Sequence, residues 1–165
     1  VIIGTAGVDV IKAGGGTDTV RAGDGDDIVD GGANKDRLFG GDGNDVMNGG
    51  GSDDRLEGGA GDDILFGGGQ DDRLFGGAGS DRIIGGDDDD RLWGGMADGS
   101  GGDGEVDRFF FDEDDGNDIV FDFEVGLDLV ILTDGTSYTL TSQAGGTLLT
   151  YGTTTVLFSK TTITD

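Results

Sequence analysis

The sequence predicts an all-β coil in which short parallel strands stack into two sheets, and three observations predict it. The first is a period of nine residues. It holds through ten consecutive units, which begin at Gly4, Ala13, Ala22, Gly31, Gly40, Gly49, Gly58, Gly67, Gly76 and Gly85. A fixed period of this kind marks a solenoid and is settled before any other reading. The second is what stays constant inside the unit. Position six is Asp in all ten: Asp9, Asp18, Asp27, Asp36, Asp45, Asp54, Asp63, Asp72, Asp81 and Asp90. Position eight is apolar in all ten: Ile11, Val20, Val29, Leu38, Met47, Leu56, Leu65, Leu74, Ile83 and Leu92. The third is composition, with 38 Gly and no Pro in 165 residues. So much Gly reads as low complexity unless a strict period organises it.

Taken in order, Val1-Ile2-Ile3 occupy positions seven to nine of a unit and carry no initiator Met, so the chain is expected to be cut from something longer. No signal peptide is visible. From residue 4 to 93 each unit reads as a six-residue Gly/Asp turn followed by three residues such as Ile64-Leu65-Phe66. Three residues are too few for a helical turn but enough for a short strand. In a strand the middle side chain points opposite to its neighbours, so position eight faces inward and positions seven and nine outward. Two units make one coil of eighteen residues, and ten units give five coils, a stack roughly 24 Å long at about 4.8 Å per layer. The core is then a slab one side chain thick, which stacking and turns must help to hold.

Past Gly94 the period slips. Eight residues are inserted within 96–106, and Asp107-Arg108-Phe109-Phe110 restores the pattern. Residues 113–131 hold two degenerate repeats around Asp118 and Asp128, which keep the Asp-x-apolar element and lose the Gly-Gly. From Leu132 acidic residues nearly stop, and Thr, Leu, Tyr and Gly take over. Residues 137–143, 147–151 and 154–159 read as antiparallel strands, with turns at Ala144-Gly145-Gly146 and Gly152. The predicted division is a roll over 1–131 and a β cap over 132–165, since a solenoid must cover its open end.

The formal charge of −25 argues against nucleic acid, whose phosphates require Lys and Arg in excess, and points to metal cations as the partner. There is no Cys and no His, which removes disulfides, thiolates, the usual zinc ligands and the commonest general base. No apolar run approaches membrane-spanning length, so no membrane insertion is expected. Adjacent carboxylates such as Asp87 to Asp90 carry no acid/base signal in a chain this rich in Asp. Asp24-Gly25-Asp26 lacks the Glu and flanking helices of an EF-hand loop, and the Gly-Gly-x-Gly strings lack the Lys-Ser/Thr of a phosphate loop. The chain is expected to be non-catalytic and monomeric.

The unit does carry metal chemistry. Calcium takes six to eight hard oxygens from carboxylates and backbone carbonyls. Gly lets a backbone turn until carbonyls converge, including at φ > 0, and the Asp adds a charged oxygen at the turn's end. One turn supplies about half a shell, and the turn eighteen residues on supplies the rest. On this geometry Asp27 pairs with Asp45 and Asp45 with Asp63 on one edge; Asp36 pairs with Asp54 and Asp54 with Asp72 on the other. The expected metal ligands are the ten repeat aspartates with Asp107, Asp118 and Asp128. Carbonyls of Gly23, Gly25, Gly32, Gly41, Gly43, Gly50, Gly59, Gly61, Gly68, Gly77, Gly79 and Gly86 complete them. Four gaps per edge give about eight sites, and the slipped turns raise the upper count to about eleven. Eight Ca2+ would bring about +16 against the chain's −25, so a disordered metal-free state and a cooperative calcium-bound fold are expected.

GGDGNDVMN, GGAGDDILF and GGAGSDRII resemble the GGxGxDxUx pattern of the RTX (repeats-in-toxin) calcium-binding nonapeptide family, where U is large and apolar. The likeness covers roughly residues 4–130. It implies a right-handed parallel β-roll with calcium between successive turns, export from bacteria by a type I system, and folding on meeting extracellular calcium. An alternative comes from the same source: modules of secreted alginate epimerases look similar, which implies a polysaccharide ligand.

Departures from the pattern sort by edge. Position four is Gly7, Gly25, Gly43, Gly61 and Gly79 on one edge but Gly16, Asn34, Ser52, Gln70 and Asp88 on the other. If that position needs φ > 0, the second edge is strained and binds calcium more weakly or with altered ligation. On one sheet position seven is Arg37, Arg55, Arg73 and Arg91, and position nine includes Phe39, Phe75 and Trp93. Asp53, Asp71 and Asp89 are the expected partners of three of those arginines. The strip reads either as a salt-bridged, solvated face or as a binding surface for sugar or a partner. On the other sheet Val10, Ile28, Val46 and Ile64 form an apolar column, suited to packing against an upstream domain or simply exposed.

Overall fold

A computed structural model describes residues 1–96, 103–133, 138–143, 146–152 and 154–159. The repeat array folds as predicted into stacked parallel strands, but the strands are twice as long as the three residues expected. The strands are β1 (Ile2–Ile3), β2 (Val10–Gly15), β3 (Thr19–Asp24), β4 (Ile28–Ala33), β5 (Arg37–Asp42), β6 (Val46–Gly51), β7 (Arg55–Ala60), β8 (Ile64–Gly69), β9 (Arg73–Ala78), β10 (Arg82–Asp87) and β11 (Arg91–Trp93). From β2 to β10 each has six residues, because positions one to three of the next unit continue the ladder, as in the Gly41↔Gly59 pairing. Only positions four to six are left to turn. The expected six-residue turn is therefore corrected to three.

Alternation along six residues puts two positions inward. Position eight fills the core: Val20, Leu38, Met47, Leu56, Leu65, Leu74, Ile83 and Leu92 are fully buried. Position one, two residues on, also faces inward and is Gly from unit four onward. The space its missing side chain leaves is taken by the carboxylate at position six of the same turn. The aspartates from Asp27 to Asp90 are accordingly as buried as the core itself.

Past β11 come β12 (Arg108–Phe111), β13 (Asn117–Val120), β14 (Leu129–Leu132), β15 (Tyr138–Gln143), β16 (Gly146–Tyr151) and β17 (Thr154–Ser159). Sheet one runs β1-β3-β5-β7-β9-β11-β13-β17-β16-β15, and sheet two runs β14-β12-β10-β8-β6-β4-β2. The inserted residues leave the register intact, since Arg82 pairs with Arg108. Residues 97–102 of the predicted insertion lie outside the described residues, as do Ser137, Ala144 and Gly145. The degenerate repeats extend both sheets: β13 pairs with β11 and β14 with β12, parallel throughout. The three late strands form the predicted antiparallel meander. Its last strand, β17, joins β13 in parallel, Asn117↔Thr155 to Val120↔Phe158, so the meander continues sheet one. Phe158, Val156 and Leu149 join the core at that end.

Candidate metal centres along the two edges

The turns lie in two rows, one along each edge of the roll, and all thirteen expected aspartates fall into two columns. On edge one the backbone N–H of Asp9 donates to Asp27 Oδ1 at 2.7 Å, Asp27 to Asp45 at 2.8 Å, and Asp45 to Asp63 at 2.7 Å. The column goes on through Asp81, Asp107 and Asp128. On edge two Asp18 donates to Asp36 at 2.6 Å, Asp36 to Asp54 at 2.7 Å and Asp54 to Asp72 at 2.6 Å, and the column runs on through Asp90 to Asp118. The rungs across the slipped turns bridge 26, 28 and 21 residues instead of 18, so the carboxylate ladder survives the loss of period.

This bond uses one carboxylate oxygen and leaves the other. Asp27, Asp36, Asp45, Asp54, Asp63, Asp72, Asp81 and Asp90 each bury an Oδ2 with no hydrogen-bond partner. Asp9 escapes because the Thr5 N–H and Oγ1 both donate to it. A buried acceptor left unpaired costs about 1–3 kcal/mol, and more when it is charged. Two rows of such atoms are not a stable arrangement by themselves.

The surroundings of Oδ2 leave no room for a side chain at position one. A Cβ placed on Gly58 would lie 2.2 Å from Asp63 Oδ2 and 2.5 Å from the Gly76 carbonyl oxygen. Gly40, Gly49, Gly67 and Gly76 repeat that relation with Asp45, Asp54, Asp72 and Asp81. The expected carbonyls face the matching glycines one coil on. A Cβ on Gly41 would meet the Gly23 oxygen at 1.9 Å, and one on Gly43 the Gly25 oxygen at 2.4 Å. Gly41, Gly43, Gly59 and Gly61 repeat this one coil on, and along edge two the carbonyls of Gly32, Gly50 and Gly68 face Gly50, Gly68 and Gly86. Gly77, Gly79 and Gly86 lie against the carbonyls of Gly59, Gly61 and Gly68.

Burial pushes the carboxyls up from the ordinary Asp value. Asp45 and Asp54 rise to about 6, Asp63 and Asp81 to about 7, and Asp72, Asp90, Asp107 and Asp118 to about 8. Neighbouring carboxylates add to the rise, and the backbone N–H donor opposes it. Among the described residues no three acidic side chains converge on a point. A cation here must therefore draw on carbonyls as well as carboxylates, which is the donor set of a hard ion such as calcium. The buried, unpartnered Oδ2 atoms of the two Asp columns fit that ion.

The family model for the RTX calcium-binding nonapeptide repeat matches four times, over residues 3–38, 30–65, 39–74 and 66–100. The chain belongs to this family. Calcium binding by the repeats follows, as does the parallel β-roll seen here. Comparison with curated proteins gives no match. Among solved structures the chain is similar to the extracellular lipase LipA from Serratia marcescens, with 21% identity and a TM-score of 0.37; the match covers 97% of this chain and 37% of that one.

The structure adds residues that the RTX pattern did not flag. On edge one the position-five side chains form their own ladder: Asp26 accepts from the Asn44 N–H at 2.9 Å, Asn44 from Asp62 at 2.8 Å, and Asp62 from Ser80 at 2.9 Å. Reading position five down one edge at a time would have shown this polar column. Asp122 accepts from the Gly94 and Gly95 amides, and Asp103 from Gly79, beside the insertion where no period remained to guide the eye.

The outer strip differs from expectation. Asp53 pairs with Lys35 at 3.3 Å, not with Arg55, and Arg55 pairs with Glu57 at 2.6 Å. Asp71 and Asp89 instead accept from backbone amides of the next coil, Asp89 and Asn117. Phe75, Trp93 and Phe121 stack face to face with centroids 4.3 Å apart, and the Arg55 guanidinium lies over Phe75. The ring faces are thus turned toward one another, which suits a ladder that ties coils together more than a platform for sugars. On sheet two Val10 and Ile28 are well exposed, at 68% and 50%.

Proposed function

We propose that this chain is a non-catalytic calcium-binding module of a secreted bacterial protein. It folds on meeting extracellular calcium, and in doing so supports type I secretion and the stability of the protein it belongs to. The observation that carries this reading is the set of eight buried, unpartnered Oδ2 atoms in two columns. They give the metal-free roll a reason to be unstable and the calcium-bound roll a reason to close. With few apolar side chains per coil, the core alone offers little against the conformational entropy of so many Gly residues. About eight ions would fill the gaps, and neutralising the columns removes most of the chain's self-repulsion.

Polysaccharide binding has less support, because Trp93 lies between Phe75 and Phe121 and Phe75 between Trp93 and Arg55, so both faces of these two rings are taken. Equilibrium dialysis of the whole chain against calcium tests the main reading. About eight bound ions per chain, with magnesium failing to compete at equal concentration, is the expected result. Fewer than three ions, or equal binding of magnesium, would sink it.

A further inference from the structure

We infer that the two edges of the roll form two classes of calcium site, edge one tighter and edge two looser. This rests on the calcium reading above and adds to it an order of filling. The carboxylate ladder is the same on both edges, so the difference comes from the turns. On edge one, position four is Gly25, Gly43, Gly61 and Gly79, with φ between 116° and 129°. On edge two the same position holds Asn34, Ser52, Gln70 and Asp88, with φ between 73° and 82°. These are left-handed residues with side chains, a conformation that only Gly adopts freely.

The edges also differ in how their turns are tied. On edge one the position-four amide donates to the next coil: Gly25 to the Asp42 carbonyl at 2.6 Å, Gly43 to Ala60 at 2.7 Å, and Gly61 to Ala78 at 2.7 Å. The Asp26–Asn44–Asp62–Ser80 ladder runs beside these bonds. Among the described residues edge two has no position-four amide bond of this kind; its position-four tie is a side-chain one, from Gln70 Nε2 to Asp88 Oδ2 at 3.0 Å. Its position-five ladder appears only from Asp71 through Asp89 to Asn117. Edge two also carries an exposed cation: Lys35 Nζ sits 3.3 Å from Asp53 Oδ2, whereas the turns of edge one contain no Lys or Arg.

Calcium that closes a turn of edge two must offset left-handed strain and, near Lys35, a positive charge. Calcium at edge one meets a turn already tied on both sides. Edge one therefore fills first and sets the coil stack. Edge two fills at higher calcium, last beside Lys35 and earlier toward the acidic turn of Asp87 to Asp90. The module then responds to calcium in two stages, first assembling and then stiffening.

Calorimetric calcium titration of the whole chain is the test, with three variants beside it. The unaltered chain should show two classes about tenfold apart in dissociation constant, equivalent to about 1.4 kcal/mol. Asp54→Asn/Asp72→Asn should keep the tight class and lose part of the loose one, and Asp45→Asn/Asp63→Asn should lose part of the tight class and keep the loose one. Asn34→Gly/Ser52→Gly/Gln70→Gly/Asp88→Gly, combined with Lys35→Ala, removes the strained side chains and the cation without touching the Asp columns, and should merge the two classes near the tighter constant. A single class in the unaltered chain, or a separation that survives the four glycine substitutions combined with Lys35→Ala, overturns the inference and leaves the calcium reading standing. No calcium binding at all would overturn the calcium reading itself.

Discussion

Gly58→Ala probes the cradle with a single methyl group. Gly58 does not sit at positive φ, so the alanine backbone is unstrained and the whole effect is steric. The new Cβ would lie 2.2 Å from Asp63 Oδ2 and 2.5 Å from the Gly76 oxygen, where about 3 Å is the least that real atoms accept. The carboxylate must then leave its seat. Doing so breaks the 2.7 Å bond from the Asp45 amide and orphans a buried donor, for about 1–3 kcal/mol. It also removes the charged oxygen from one inter-coil gap. Gly51→Ala is the matched control, since nothing lies within 4 Å of its Cβ and its φ is ordinary. That substitution should change stability by no more than about 0.5–1 kcal/mol, in the stabilising direction if at all. Urea unfolding at saturating calcium, read together with calcium stoichiometry, separates the two. Gly58→Ala should lower the midpoint sharply and lose at least one ion. Equal midpoints and stoichiometry for the two variants would refute the claim that position one is Gly to seat a carboxylate.

Three further outcomes follow from the same geometry. Leu65 is fully buried in a core one side chain thick, so Leu65→Ala should cost about 2–5 kcal/mol in calcium-saturated thermal or urea unfolding. Trp93 is the chain's single tryptophan and is stacked on both faces. Its fluorescence should shift to the blue when calcium is added, and Trp93→Ala should destabilise more than Trp93→Phe, which keeps a stacked ring. The raised carboxyls fix a pH dependence. Asp63 near 7 and Asp72 and Asp90 near 8 stand above the unfolded value of about 3.8. In calcium-free buffer their contribution to folding is complete below pH ~4 and is lost as pH rises through ~7–8. Acidification should therefore favour the metal-free fold in circular dichroism, while calcium affinity should rise with pH over the same window.

The repeat was legible because its period aligns chemistry that stacks. Asp at position six and an apolar residue at position eight recur every nine residues, and the structure puts all of them in columns. Strand length was not legible, because Gly-Gly reads as a turn and nothing local shows that position one must face inward. Only the carboxylate of Asp63 beside Gly58 reveals why that inward place has no side chain. The charge partners of the outer face were misjudged for a related reason. Asp53 is two residues from Arg55 in sequence, yet Lys35 lies one coil away in register and takes the contact. The parallel docking of β17 on β13 follows from a chain reversal through three strands, a long-range choice that no short pattern encodes.

The central claim is that calcium in the edge columns makes this chain fold. Far-ultraviolet circular dichroism of the full chain, titrated with calcium and separately with magnesium, tests it most directly. The account predicts a disordered spectrum without metal and a cooperative gain of β structure near about 10⁻⁴–10⁻³ M calcium, the range of extracellular modules, with magnesium inert. A chain that shows the same β spectrum with and without chelator would contradict it.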